Sequence, residues 1–222
     1  MSAAAAFDDD ADTAIGVWAI VVAAGAGSRF GGAKQYALLG GKRVVDWSLA
    51  TAKASCAEVI LVVPPDRAGA PEAADHVVAG GASRSESVRA GLAAIAPDAS
   101  DDTVVVVHDA ARPFATRALF EAVIAAVRSG ADGAVPGLPI TDTVKQVRRD
   151  RSVAATLDRS HLVTVQTPQA FRLPALRAAH HDGGEATDDA ALVEAVGGRV
   201  VVVEGEVTNR KITTPADLTE SR

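Results

Sequence analysis

Apolar residues in this chain gather in short, unbroken, valine-rich runs: Val17–Ala23, Val59–Val63, Thr103–Val107 and Val200–Val203. Runs of strand length without polar alternation predict strands buried on both faces, as in a parallel central sheet. A shorter strand is expected at Asp75–Ala79. Between the runs lie stretches of helical period, roughly 44–54, 83–95, 116–129 and 188–196, and Ser83 and Glu86 have the spacing of a capping box. Strands alternating with helices predict a doubly wound α/β sandwich. From Pro139 to about Val165 the alternation fails: the text is charged, with strand-length pieces and no clean helical face. This predicts a projecting β-ribbon arm over 139–165, too polar to form a core alone and suited to packing on a partner. An ordinary surface hairpin is the plainer alternative. No composition break divides residues 15–222, which read as one domain. Residues 1–14, MSAAAAFDDDADTA, read as a disordered cytosolic tail, because acidic residues stand where a secretory signal would be basic.

Composition narrows the function. The 222 residues are 48% hydrophobic and 23% charged, which excludes a wholly disordered chain. Twenty-two basic against 28 acidic residues give a net charge of −6, and aromatics are only 4%; both argue against nucleic acid as a partner. No apolar run approaches the ~20 residues needed to cross a bilayer. The single cysteine, Cys56, excludes an intramolecular disulfide and fits a reducing, cytoplasmic setting. Only five basic residues are lysines, so a phosphate-binding lysine must be placed locally.

The segment AAGAGSRFGGAKQ, residues 23–35, follows the first predicted strand. Its glycines offer backbone N–H groups to an anion. Gly25, Gly27 and Gly31 miss the dinucleotide spacing by one residue, and Ala33 interrupts a Walker A pattern between Gly32 and Lys34. What remains distinctive is a glycine loop carrying Arg29 and Lys34, two cations able to neutralise a triphosphate. The loop resembles the signature of the sugar-nucleotidyltransferase superfamily. GGASRSESVRAGL (80–92), VVVHDAARPF (105–114), ITDTVKQV (140–147), TLDRSHL (156–162), TPQAF (167–171), ATDDAAL (186–192) and NRKITTPADL (209–218) follow in order. Together they resemble the 2-C-methyl-D-erythritol 4-phosphate cytidylyltransferase family.

The resemblance implies a Rossmann-like three-layer sandwich, CTP and a polyol phosphate as substrates, Mg²⁺ or another divalent cation, and a homodimer through the arm. It implies that Ala23, Ala24, Gly25, Ala26, Gly27, Gly81, Ala82, Ser87 and Ala110 bind CTP, and that Arg29, Lys34 and Lys211 carry catalysis. Ala82 departs from the pattern, since relatives often carry a polar residue there. Asp109, Arg112, Thr143, Arg159, Thr167, Thr187 and Lys211 are implied for the acceptor, with Asp109 also a candidate metal ligand. The plainer readings are an N-cap for Asp109 with Arg112 as its ion-pair partner, an N-cap for Thr187, and a structural His108. Arg148, Arg149 and Arg151 are expected to face solvent. The rival functions are a ribitol 5-phosphate cytidylyltransferase and a CTP-binding module without turnover.

Overall fold

A computed structural model describes residues 16–27 and 29–219; the expected 1–14 tail lies outside them. The apolar runs form strands where expected, within two residues at each end: β1 (Val17–Val22), β4 (Glu58–Val63), β5 (His76–Ala79), β6 (Val104–Asp109) and β12 (Val200–Glu204). Two-residue strands β2 (Leu38–Leu39) and β3 (Lys42–Arg43) form a small hairpin ahead of helix α1 (Val44–Ser55). Helices α2 (Arg84–Ala93), α3 (Arg117–Arg128) and α5 (Asp189–Ala195) also match their patterns, and α6 (Ala216–Thr219) is a single turn.

Three elements between 130 and 181 escaped the sequence reading: β7 (Gly133–Pro139), β11 (Gln169–Arg172) and α4 (Leu173–His180). β7 is broken by Pro136 and Gly137, and β11 is too short to register as a run. The arm is also narrower than expected. Only β8 (Val144–Val147) and β9 (Val153–Leu157) pair as a separate hairpin. β10 (Val163–Val165) returns to the main sheet, antiparallel to the end of β7.

In the main sheet β1, β4, β5 and β6 run parallel, as do β7 and β12, while β11 enters antiparallel between β6 and β7. β10 and β11 share one edge of β7 and β12 takes the other, because β11 and β12 both pair with Gly133 and Ala134. β12, expected to be buried on both faces, is an edge strand with Val202 55% exposed.

Alternation along β1 sorts its side chains between two cores. Val17, Ala19 and Val21 join α1 and α3 through Leu49, Phe120 and Val123, whereas Ile20 joins α2, α4 and α5 through Val88, Leu176 and Val193. Phe120 is fully buried, so truncation to alanine costs about 3–5 kcal/mol. Gly91 lets α2 lie close on the sheet: a Cβ there would stand 2.6 Å from Ile20 Cγ2. The resulting sandwich has three layers, and the carboxyl ends of β1 and β6 open side by side, where parallel α/β sheets present ligand sites.

Candidate active site

The glycine loop is held from behind. Buried Gln35 donates from Nε2 to the Ala23 carbonyl at 2.7 Å and the Gly25 carbonyl at 3.3 Å. The Gly27 carbonyl accepts from the amides of Phe30, Gly31 and Gly32 at 2.8, 3.1 and 3.3 Å. Gly27 has φ +65°, and a Cβ there would lie 1.9 Å from the Gly32 oxygen, so the turn admits no side chain. The loop held in this way borders a cleft of about 490 Å³.

Every residue expected to bind CTP lines this cleft: Ala23 to Gly27, Arg29, Lys34, Gly81, Ala82, Ser87 and Ala110. Its described lining carries four cations, Arg29, Lys34, Arg84 and Lys211, against one carboxylate, Asp109. Burial, and after it the Lys211 charge, pushes the Lys34 pKa below its ordinary value. An anion between these cations would relieve that repulsion. A small third core packs Phe30 of the glycine loop near Ile212, and Ile212 donates its amide to the Ala111 carbonyl at 2.8 Å. Lys34 and Lys211, far apart in sequence, thereby come to line the same cleft.

At the opposite end the expected capping box is only half formed. Ser83 Oγ caps α2 by accepting from the Glu86 amide at 3.0 Å, but Glu86 Oε2 takes the Ala82 amide at 2.6 Å rather than that of Ser83. The Ala82 N–H is therefore engaged within the protein. Ser87 Oγ donates to the Ser83 carbonyl at 2.9 Å, leaving its lone pairs to accept from a base amino group.

A second cleft of about 240 Å³ adjoins the first and shares Asp109, Arg84 and Lys211 with it. Arg112, Gln166, Thr167 and Thr187 complete much of its wall. Asp109 is no N-cap: its Oδ2 meets Lys211 Nζ at 2.5 Å and its Oδ1 meets Arg84 Nε at 3.4 Å. Burial alone would raise the Asp109 pKa, but the Arg84 and Lys211 charges outweigh it and hold the carboxyl well below the usual range. Arg112 is not its ion-pair partner but donates to the Asn209 carbonyl at 2.8 Å. Arg84 Nη2 and Arg112 Nε are buried without a hydrogen-bond partner among the described residues, donors suited to an oxyanion.

Thr167 is more structural than expected. Its Oγ accepts from the Asp109 amide at 3.0 Å and lies 3.1 Å from His108 Nδ1, while His108 Nε2 lies 3.2 Å from the Arg112 carbonyl. Because that carbonyl can only accept, geometry puts the His108 hydrogen on Nε2. His108 is thus the structural residue expected, and burial pushes its pKa down to about 4. Thr187 lines the cleft but is not the N-cap of α5; Asp188 caps it by accepting from the Ala191 amide at 3.1 Å.

Thr143 and Arg159 are not brought into either cleft within the protomer. Both are exposed on the arm, and Arg159 donates to the Thr141 carbonyl. Conversely, Gln35, Arg84 and Asp189 were not singled out by sequence. Asp189 carried a signal: it falls one turn before Leu192 and Val193 on the buried face of α5, where a carboxylate requires partners.

Known proteins resemble this chain in sequence and fold. A bifunctional enzyme IspD/IspF from Nitratidesulfovibrio vulgaris is 45% identical over 90% of the chain and 56% of its own length. The chain thus spans about half the length of several curated relatives that it matches. A 2-C-methyl-D-erythritol 4-phosphate cytidylyltransferase from Saccharopolyspora erythraea is 42% identical, over 91% of the chain and 96% of the relative. The crystal structure bearing that name from Thermus thermophilus superposes with TM-score 0.76 at 36% identity, covering 91% of this chain and 95% of that one. With residues 17–222 matching the family description itself, the chain belongs to the 2-C-methyl-D-erythritol 4-phosphate cytidylyltransferase family.

Proposed function

We propose that the chain joins CTP to 2-C-methyl-D-erythritol 4-phosphate, giving 4-diphosphocytidyl-2-C-methyl-D-erythritol and pyrophosphate in non-mevalonate isoprenoid biosynthesis. The observation that carries this reading is the pair of adjoining clefts meeting at Asp109, Arg84 and Lys211. CTP occupies the larger cleft, its triphosphate along the glycine loop between Arg29, Lys34 and Lys211. The polyol phosphate occupies the smaller one, with Asp109, Arg112, Thr167 and Thr187 around it. An acceptor phosphate oxygen attacks the α-phosphorus in line, forming a P–O bond as the bond to the pyrophosphate oxygen breaks. That oxygen is already anionic at neutral pH, so no general base is required. Catalysis rests on alignment and on cations placed where charge accumulates.

Mg²⁺ enters this proposal with the nucleotide, as its counter-ion. The described residues contain no cluster of three potential ligands. Both Asp109 oxygens are held by cations, so a metal would take one only by displacing Lys211 or Arg84. The triphosphate supplies the other oxygens a hard cation prefers.

A homodimer is the second part of the proposal. Val147, Val153 and Leu157 on the arm are 59%, 54% and 40% exposed, apolar side chains with no core of their own. Thr143 and Arg159 are then what each protomer offers to its partner's acceptor cleft. No helix of the described residues is long and apolar enough to cross a membrane, and a cytoplasmic location completes the reading.

The test is pyrophosphate release by purified protein with CTP and 2-C-methyl-D-erythritol 4-phosphate or ribitol 5-phosphate, supplied separately. Turnover with the first alone is expected. Turnover with ribitol 5-phosphate alone would make the protein the rival cytidylyltransferase, and CTP binding without turnover would make it a binding module.

A further inference from the structure

Two segments singled out by sequence, SRSES and ATDDAAL, each contain a charged residue that the mechanism above leaves unused, Arg84 in the first and Asp189 in the second. Asp189 opens α5 and is fully buried, yet its carboxylate is satisfied on both sides. Its Oδ1 lies 3.0 Å from His180 Nε2 at the end of α4, and its Oδ2 lies 2.7 Å from Arg84 Nη1 at the start of α2. Since a carboxylate only accepts, His180 carries its hydrogen on Nε2. Arg84 turns the same planar guanidinium toward the clefts, with Nε 3.4 Å from Asp109 Oδ1, and Asp109 closes on Lys211 at 2.5 Å. Charge therefore alternates from Asp189 through Arg84 and Asp109 to Lys211, with His180 hydrogen-bonded to the first of them.

The geometry of the guanidinium decides what this line does. Arg84 meets Asp109 through Nε alone, while Asp189 holds Nη1. Released from Asp189, the fork would be free to turn both donors onto Asp109, the arrangement arginine prefers with a carboxylate. That would compete directly with Lys211 for Asp109 and swing the carboxylate shared by the two clefts. We infer that Asp189, anchored by His180, is a positioning residue that keeps Arg84 edge-on to Asp109 and so leaves Asp109 and Lys211 set for the acceptor phosphate. The inference rests on the reading that the two clefts hold CTP and a polyol phosphate.

Asp189→Asn, His180→Leu and His180→Gln separate this role from plain support of the fold. CTP affinity is measured by calorimetry, kcat and acceptor KM by pyrophosphate release, and Tm by melting. Asp189→Asn is expected to change CTP affinity less than acceptor KM, because the glycine loop with Arg29 and Lys34 is untouched while Arg84 and Lys211 border both clefts. Its acceptor KM rises about 10-fold or more and kcat falls, the scale of a small misplacement at a reacting centre. His180→Leu shifts the same two quantities in the same direction. His180→Gln, whose side-chain amide can still donate to Asp189, restores them toward wild type. Variants that melt earlier but keep wild-type kcat and acceptor KM would overturn the inference, and so would His180→Leu and His180→Gln behaving alike. Should Asp189→Asn fail to fold, the contrast between the two His180 variants decides. A wild-type protein that releases no pyrophosphate overturns both this inference and the function it rests on. An active wild type with unchanged variants overturns this one alone.

Discussion

Lys34 stands where burial and a neighbouring like charge both work against its proton. A side chain in that position gains most from a triphosphate, and more as charge builds on the departing pyrophosphate. Lys34→Ala is therefore expected to lower kcat at least ~10²-fold in folded protein, the scale of losing one oriented transition-state contact; single-turnover assays read this directly. Residues of this kind were legible because their chemistry is local: glycines, Arg29 and Lys34 sit within one short segment. Arg84 and Gln35 were not, because what they do depends on partners across the fold: Asp109 and Asp189 for one, the Ala23 carbonyl for the other. His108 gives a prediction of a different kind. It is neutral when folded, with its pKa down at about 4 against an ordinary 6.5. Its contribution to stability is complete above pH 6.5 and is lost as pH falls toward 4, because the unfolded chain takes up the proton first. The drop is about 3 kcal/mol from this residue. Urea titrations at pH 7 and pH 4.5 should show a smaller difference in His108→Gln than in wild type.

Among elements, β12 was legible from its valines alone although it lies at an edge, and the interior strands were legible because their burial is uniform along their length. β1, β4 and β6 lie in the sheet interior, and their valine runs announce it. β7 was hidden by its own Pro136 and Gly137, tolerated here because Gly137 must admit Val163 and Val202 at close quarters. The arm was visible as a break in pattern, but its end at 165 was set by the polarity of the segment. Pairing, which a one-dimensional pattern does not carry, ends the hairpin at Leu157 and sends β10 back to β7. The hairpin makes its own prediction. A charge at one of its exposed apolar positions, as in Val147→Lys or Leu157→Arg, should leave the far-ultraviolet circular dichroism unchanged while shifting sedimentation from the proposed dimer to monomer. Acceptor KM should rise in step, since in that proposal Thr143 and Arg159 would no longer reach a partner.

At the scale of the whole molecule, a net charge of −6 coexists with a cleft whose described lining carries four cations and one carboxylate. Bulk charge argues against polyanionic partners and is silent about one nucleotide. The same cleft predicts how metal removal behaves. A chelator should stop pyrophosphate release yet leave the Tm of the ligand-free protein unchanged, because in the proposed reaction the metal arrives with the nucleotide. A chelator that lowers the ligand-free Tm would instead reveal a metal held by the protein. The nucleotide cleft draws on residues from Val22 to Thr213. Its lining comes both from the first strand's loop and from a loop beyond the last described strand. A chain emerging from the ribosome carries β1, β4, β5 and β6 long before residue 211 has been translated. Such a chain would have the glycine loop but not yet Lys211. Synthesis itself thus delays completion of the cleft: on the proposed function, turnover waits until Lys211 has emerged.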